Sequence, residues 1–338
     1  MRPPLIIPFF IAHQGCPHRC VFCNQRKIAG AGDVAVSGSA VATEIKRRLQ
    51  QPRHPGRGKV VVAFYGGSFT GLTEKRQREL LDAVSPFLEN GEVSGIRLST
   101  RPDAMDSCIA AFLKARGVCT VELGVQSMDD RVLAESGRGH TGADSEKAIR
   151  CVREAGLEVG VQLMAGLPGQ TTSGALRSAE RISFLAPDLV RIYPAVVLKD
   201  SELAERYRSA AYRPLSLARA VILCGRMQEI FRHRGVRVVR TGLQATDTLA
   251  GEILAGPYHP AFGELVQSRN LYRRVVKLLQ DPLRPTTGKM IVAEADQSVF
   301  RGEGNSNLKR LADKGLLDGV EPVFEKNAIR GEVTFVGG

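Results

Sequence analysis

Apolar positions along this chain fall into two alternating rhythms. Near-continuous Val, Ile and Leu runs predict strands at 7–12, 60–65, 96–100, 120–125, 159–164 and 189–193. Unbroken apolar runs suit parallel strands that are buried on both faces. Between them the period lengthens to that of amphipathic helices, at 41–51, 74–88, 103–116, 143–155, 174–185 and 216–234. Thr73 and Asp103 stand where two of these helices should begin, and Gly117 and Gly156 where two should end. Strand and helix repeated in this way give an α/β fold with a parallel sheet and right-handed crossovers. Periodicity alone leaves open whether that sheet closes into a barrel.

The rhythm changes after about Arg240. Residues 241–261 are rich in Gly, Thr and Ala, and 262–280 reads as one basic helix ended by Asp281-Pro282 and Arg284-Pro285. A strand at 289–292, a helix at 307–314 and a strand at 332–336 complete a small α+β extension. The expected division is a core at 1–245 and a basic, candidate substrate-facing extension at 246–338.

At 338 residues and 43% apolar content, the chain has enough length and apolar surface for one large α/β unit and a smaller one. No apolar stretch reaches the roughly 20 residues of a membrane span, and the first residues carry no signal-peptide pattern. Cys108, Cys119, Cys151 and Cys224 are scattered through apolar or helical stretches and are expected to be buried thiols. An exposed cysteine cluster would oxidise outside a reducing compartment, so the expected location is the cytoplasm. The net charge of +12 is uneven. Arg226, Arg232, Arg234, Arg237 and Arg240 form one group; Arg269, Arg273, Arg274, Lys277, Arg284 and Lys289 form another. Such groups bind phosphate backbones or simply solvate helix faces, and charge alone does not separate the two. With Trp absent, no aromatic platform for stacking bases is evident.

The chemistry concentrates where predicted strands end, the edge at which parallel sheets bind ligands. The first strand runs into Cys16-Pro17-His18-Arg19-Cys20-Val21-Phe22-Cys23, spaced C-x3-C-x2-C. Thiolates are soft ligands suited to iron–sulfur clusters. A zinc site completed by His13 or His18 is the alternative, although structural zinc normally takes paired C-x2-C spacing. The second strand ends in Gly66-Gly67-Ser68-Phe69, where glycines let the backbone approach a ligand closely. The third ends in Ser99-Thr100-Arg101-Pro102-Asp103, which also reads as a plain helix start. The fourth ends in Gln126-Ser127 and is followed by Arg138-Gly139-His140-Thr141. There Arg138 is a candidate carboxylate partner and Thr141 a candidate helix cap. The fifth presents Gln162 and Gly166-Leu167-Pro168-Gly169, and the sixth Tyr193-Pro194.

The cysteine spacing, with Phe22 before the third cysteine, resembles the radical S-adenosylmethionine (SAM) superfamily. Within it, Thr100 to Asp103, Glu122 to Ser127, Arg138 to Thr141, Gly166 to Gly169, Tyr193-Pro194, Glu202-Leu203 and Tyr212 resemble the catalytic subunit of Elongator and its bacterial and archaeal relatives, in order over roughly 1–245. The resemblance implies a partial (β/α)6 radical SAM barrel with a small C-terminal α+β extension. It implies a [4Fe-4S] cluster on Cys16, Cys20 and Cys23, with SAM at the open iron. Phe22, Gly66, Gly67, Ser68, Ser99, Gln126, Arg138 and Gln162 are then the cofactor-facing positions. Reductive cleavage of SAM would give a 5′-deoxyadenosyl radical, with a reductant such as flavodoxin or ferredoxin. Ser68 stands where many members have Glu, and Ser99 precedes Thr100 where Elongator-type enzymes have Glu. The sequence also ends before room for an Elongator-type acetyltransferase domain, so a separate acyl-transferring protein is expected. tRNA or another RNA is the expected substrate, with Tyr193, Arg269, Arg273, Arg274 and Lys277 as candidate contacts. A small metabolite, as in coproporphyrinogen-type enzymes that share the Gly-Val-Gln and Gly-Leu-Pro stretches, and a non-catalytic cluster- or zinc-binding adaptor are the alternatives.

Overall fold

A computed structural model describes residues 4–11, 14–24, 36–51, 58–244 and 247–337. His13, the end of the first predicted strand at residue 12 and the 245/246 division lie outside the described residues.

The alternating pattern becomes strands β1 (Leu5–Phe10), β2 (Val60–Tyr65), β3 (Ile96–Thr100), β4 (Val118–Gln126), β5 (Glu158–Ala165) and β6 (Leu189–Pro194). Short strands β7 (Val197–Leu198) and β9 (Ile253–Ala255) pair with each other, and β8 (Arg237–Thr241) lies between them in sequence. The main sheet runs β1-β2-β3-β4-β5-β6-β8, every neighbouring pair parallel. It is a curled half-barrel in which β8 adds a seventh strand to the six expected.

The crossovers are helices α1 (Gly38–Leu49), α2 (Glu74–Asp82), α3 (Ser85–Glu89), α4 (Ser107–Ala115), α5 (Asp130–Glu135), α6 (Gly142–Glu154), α7 (Thr172–Phe184), α8 (Glu202–Arg208) and α9 (Leu217–His233). The predicted helix 74–88 is thus two helices, because Pro86 restarts the chain at the N-terminus of α3. The predicted start at Asp103 falls on a single 3-10 turn; Asp106 is the true cap of α4, accepting from Ile109 N at 2.8 Å. Thr73 makes no side-chain cap bond. Thr141 does cap α6, in a reciprocal box with Asp144.

Strand alternation divides the sheet into two faces. Ile7, Phe64, Leu98, Leu123, Val161, Val190 and Ile192 pack under the helices in the main core. The intervening positions, among them Tyr65, Arg97, Glu122, Gln162, Arg191 and Tyr193, line the opposite, concave face. Cys151 and Cys224 are buried as expected, but Cys108 is exposed and Cys119 half-buried. Cys108 opens the first turn of α4, where its side chain is turned away from the sheet. Among the described residues no helix is long and apolar enough to cross a membrane.

After α10 (Asp247–Glu252), α11 (Phe262–Leu279) links two cores. Phe262 and Val266 belong to the main one; Leu271, Tyr272, Val275 and Leu279 belong to a second. The second core is completed by β10 (Gly288–Ala293), α12 (Gln297–Arg301), α13 (Ser306–Ala312), β11 (Val320–Glu325) and β12 (Val333–Gly337). In its sheet β10 is central, parallel to β11 and antiparallel to β12. β11 and α12 were not predicted.

Candidate active site

The cysteine loop leaves β1 at the carboxyl edge of the sheet and folds back on the turn after β2. The two loops touch so closely that side chains are excluded between them. A Cβ at Gly15, whose φ is +71°, would meet Ser68 O at 2.1 Å, and one at Gly67 would meet Gln14 O at 2.5 Å. Glycine is therefore required at both places. Val21 ties the loop to two further elements: its N–H donates to Ser136 O at 3.1 Å, and its carbonyl accepts from Leu203 N at 2.8 Å. Phe22 packs with Leu167, Ala195 and Met164, so its role within the fold is to wedge the loop against the ends of β5 and β6.

Cys16, Cys20 and Cys23 form no disulfide, and each is half-buried. Among the described residues no three Cys, His, Asp or Glu side chains converge on a site for a single ion. A cubane cluster distributes its three thiolates over three irons, a wider spacing than one tetrahedral zinc demands. His18 lies over Gly139, where a Cβ would sit 2.5 Å from its ring.

Two buried arginines stand beside the thiols. Arg138 Nη1 donates to Cys20 Sγ at 3.2 Å, and its Nη2 donates to Gly124 O. Arg101 makes a two-pronged bond to Asp103, at 3.0 and 2.9 Å, and donates to Arg138 O. Burial raises the Cys16 thiol above its ordinary pKa, while Arg101 and Arg138 oppose that shift. His140 is buried next to the same two cations. Burial first, then Arg138 and Arg101, push its pKa down to about 4, so the imidazole is neutral and its Nε2–H faces Val125 O at 3.3 Å.

Polar atoms without partners cluster at this edge. Ser99 Oγ, Arg101 Nη1, Gln126 Oε1 and Arg138 Nε are buried and unbonded. Buried polar atoms are rarely left so, because each costs about 1–3 kcal/mol. Gln126 also sits at φ +67°, at an irregularity in the β4–β5 register, a conformation that favours glycine. Two guanidinium donors, an amide oxygen and a hydroxyl beside three thiols suit a ligand with both amino and carboxylate groups, next to a thiolate-held cluster. The site therefore fits a [4Fe-4S] cluster and SAM. Ser68 does not join this set. Its hydroxyl is fully buried against Thr100 Oγ1 at 3.0 Å, within a hydroxyl network that includes Thr70. Gly66 and Gly67 line the turn beneath the loop.

Gln162 and Tyr193 lie deeper, on the concave face, around a charge cluster that the sequence did not single out. Glu122 is fully buried. Arg191 Nη2 donates to its Oε1 at 3.0 Å, while Arg191 Nε lies 2.6 Å from Oε2 but off line for a hydrogen bond. Arg97 Nε is 3.6 Å from Oε1; Tyr65 OH and Gln162 Nε2 each donate at 3.4 Å. Burial and Glu122 push the Tyr65 phenol up to about 12. The signal in the sequence was a Glu inside an apolar strand run. Tyr212 meets the Gly166-to-Gly169 loop, its hydroxyl donating to Gly166 O at 2.6 Å.

The basic candidates Arg269, Arg273, Arg274 and Lys277 lie on α11, which packs against α9 and the C-terminal elements. Arg274 is taken up by Glu229 and Gly331 O.

A parallel half-barrel that gathers thiols, glycine turns and unpartnered polar groups at its carboxyl edge defines an α/β protein built to hold a cofactor there. The chain belongs to the radical SAM superfamily, whose members use a [4Fe-4S] cluster and SAM: residues 10–182 match the Radical SAM superfamily and residues 187–271 the Radical_SAM C-terminal domain. It is 30% identical over 209 residues to an uncharacterized protein of Methanocaldococcus jannaschii, covering 60% of this chain and 64% of that one. It is 27% identical over 298 residues to the tRNA uridine(34) acetyltransferase of the same organism, covering 77% of this chain and 54% of the relative. The chain thus spans little more than half to two thirds of these relatives. The solved structure of the archaeal Methanocaldococcus infernus Elp3 superposes with a TM-score of 0.60 at 22% identity, covering 79% of this chain and 63% of the other, a likeness of fold.

Proposed function

We propose that this chain is a radical SAM enzyme that modifies tRNA, with uridine-bearing RNA as its substrate class. The observation that carries the RNA reading is the match to a tRNA uridine(34) acetyltransferase, which runs past the barrel to cover 77% of this chain. In this reading Cys16, Cys20 and Cys23 hold the cluster, and Gln126, Arg138 and Ser99 face SAM. A cluster and SAM held by these residues would supply radical hydrogen-abstraction chemistry.

The protein's own groups orient and anchor. The bond from Arg138 to Cys20 fixes one thiol, and the unbonded Nε of Arg138 is left for the SAM carboxylate. Arg101 holds Arg138 from behind through its carbonyl. Val21 and Phe22 anchor the loop against α5, α8 and β5. The substrate is received by the concave face, where the half-buried Tyr193 and Gln162 offer hydrogen bonds.

The test compares modified nucleosides by mass spectrometry in tRNA from cells with the gene, without it, and with Cys20→Ala in its place. One nucleoside lost in both altered strains is the expected outcome. An unchanged profile removes tRNA as the substrate and makes a metabolite the next reading to test.

A further inference from the structure

We infer that Arg226, Arg269, Arg273 and Arg310 form a docking site for the phosphodiester backbone of RNA on the outer flank of the barrel. This rests on the RNA reading above and adds a second place of contact, separate from the concave face.

The four come from three helices. Arg269 and Arg273 lie one turn apart on α11, Arg226 on α9 and Arg310 on α13. The helices meet tightly here: a Cβ at Gly225 would lie 2.6 Å from Asn270 Oδ1 and 3.5 Å from Arg269 Nη1. Asn307 fixes α13 to α11 by donating to Ser268 Oγ at 2.9 Å, and Arg310 lies 4.4 Å over the Tyr272 ring. Arg269 is half-buried and its Nη1 is buried without a partner. Its own burial, then the charges of Arg273, Arg226 and Arg310, hold its pKa below the ordinary arginine value.

Among the described residues, no carboxylate pairs with any of the four. The carboxylate of Glu229, three residues beyond Arg226 on α9, is engaged by Arg274 and Arg232. Like charges one helical turn apart repel. A fold that assembles four of them without an anion bears a cost that a bound anion would relieve. Guanidinium groups match phosphate in two-pronged geometry. Arg226, Arg273 and Arg310 are exposed, and the group is spread across three helices, not closed into a pocket. That shape suits successive phosphates of a chain and gives a free phosphate ion no enclosure.

The test measures binding of fluorescein-labelled total tRNA to the full-length holoprotein by anisotropy, between about 50 and 200 mM NaCl. The triple variant Arg226→Gln/Arg273→Gln/Arg310→Gln changes only exposed side chains, which protects folding. Its control, Arg47→Gln/Arg48→Gln/Arg78→Gln, removes the same charge from arginines already paired with Glu44 and Glu74. The expected result is at least about tenfold weaker binding for the first variant and a salt slope shallower by about 2, with the control near wild type. Equal losses in both variants, wild-type affinity in the first, or no tRNA binding by the wild type would each overturn the site. The nucleoside comparison keeps the two ideas apart. A nucleoside lost on deletion and fully restored by an arginine variant with wild-type affinity removes the site and keeps the RNA reading. A variant that loses tRNA while deletion changes no nucleoside keeps the site and removes the reading.

Discussion

The concave face and the outer flank both gather arginines, and they balance them in opposite ways. On the concave face Arg97 and Arg191 share one fully buried carboxylate, Glu122, with Tyr65 and Gln162 filling its remaining acceptor positions. On the outer flank, among the described residues, no carboxylate pairs with Arg226, Arg269, Arg273 or Arg310; the nearby Glu229 is engaged by Arg274 and Arg232. The first cluster has its counter-charge within the fold, although the Nε atoms of Arg97 and Arg191 stay unbonded; the second takes its counter-charge from outside. The difference teaches that an arginine's part in this protein is set by whether the fold provides its counter-charge, not by how many arginines stand together in sequence.

The sharpest way to break the comparison is to remove Glu122. Glu122→Ala strands Arg191 on the concave face and leaves Arg97 with Glu158 alone, and breaking a buried pair in this way costs about 3–5 kcal/mol. Urea unfolding should show that loss. Adding Arg191→Met should recover part of it, since an apolar replacement for a buried pair is often nearly neutral. Arg226→Gln on the flank should leave stability within about 0.5 kcal/mol of wild type. If Glu122→Ala were as mild as Arg226→Gln, the concave cluster would not be the self-sufficient one.

The carboxyl edge stands between these two cases. Arg101 and Arg138 are partly satisfied by Asp103, Gly124 O and Cys20, and their charge falls on His140. The unfolded imidazole takes up a proton below about pH 6.5, whereas the folded one waits until about pH 4. The stability this contributes is fully present above pH 6.5 and is lost as pH falls through that window. A loss of up to about 3 kcal/mol is expected by pH 4, about two thirds of it by pH 5. Anaerobic urea unfolding at pH 7, 6 and 5 should show this loss, and it should be absent in His140→Gln. A wild type and variant that track each other across this range would mean that burial and the charges of Arg138 and Arg101 do not hold His140 neutral in the fold.

What the sequence made legible follows the reach of each signal. Strands β1 to β6 were readable because Val/Ile/Leu runs are local, and the cysteine loop because its three thiols lie within eight residues. β8 was missed because Arg237-Val238-Val239-Arg240-Thr241 is an edge strand with charged ends, so its apolar run is too short to stand out. Glu122 was quoted only within a motif, because its partnership with Arg191 spans 69 positions. Arg101 read as the start of a helix; its burial depends on Arg138 O, which only the folded chain brings near. Cys108 was expected inside, yet helix α4 turns it to solvent. The glycines at 66 and 67 were legible as a close-approach turn, but not that the approaching partner is the cysteine loop itself.

The finest distinction concerns two adjacent arginines that the sequence placed together. Successive residues on a helix point about 100° apart, so Arg273 and Arg274 leave α11 in different directions. Arg274 reaches Glu229 on α9 and the carbonyl of Gly331 ahead of β12, binding the C-terminal sheet to the barrel's helices. Arg273 faces the unpaired cluster. Both members of the Arg274–Glu229 pair are roughly a fifth exposed, so its loss falls between that of a surface pair and a buried one. Arg274→Gln should therefore cost about 1–2 kcal/mol, while leaving the salt slope of tRNA binding unchanged. Arg273→Gln should do the reverse, with stability within about 0.5 kcal/mol and a slope shallower by about 0.7 to 0.9. Because repulsion within the cluster is screened by salt, any stability gained by Arg273→Gln should be largest at low ionic strength and fade as salt rises. Equal behaviour of the two variants in both measurements would show that neighbouring position on the chain, and not the direction each side chain takes from the helix, decides what these arginines do.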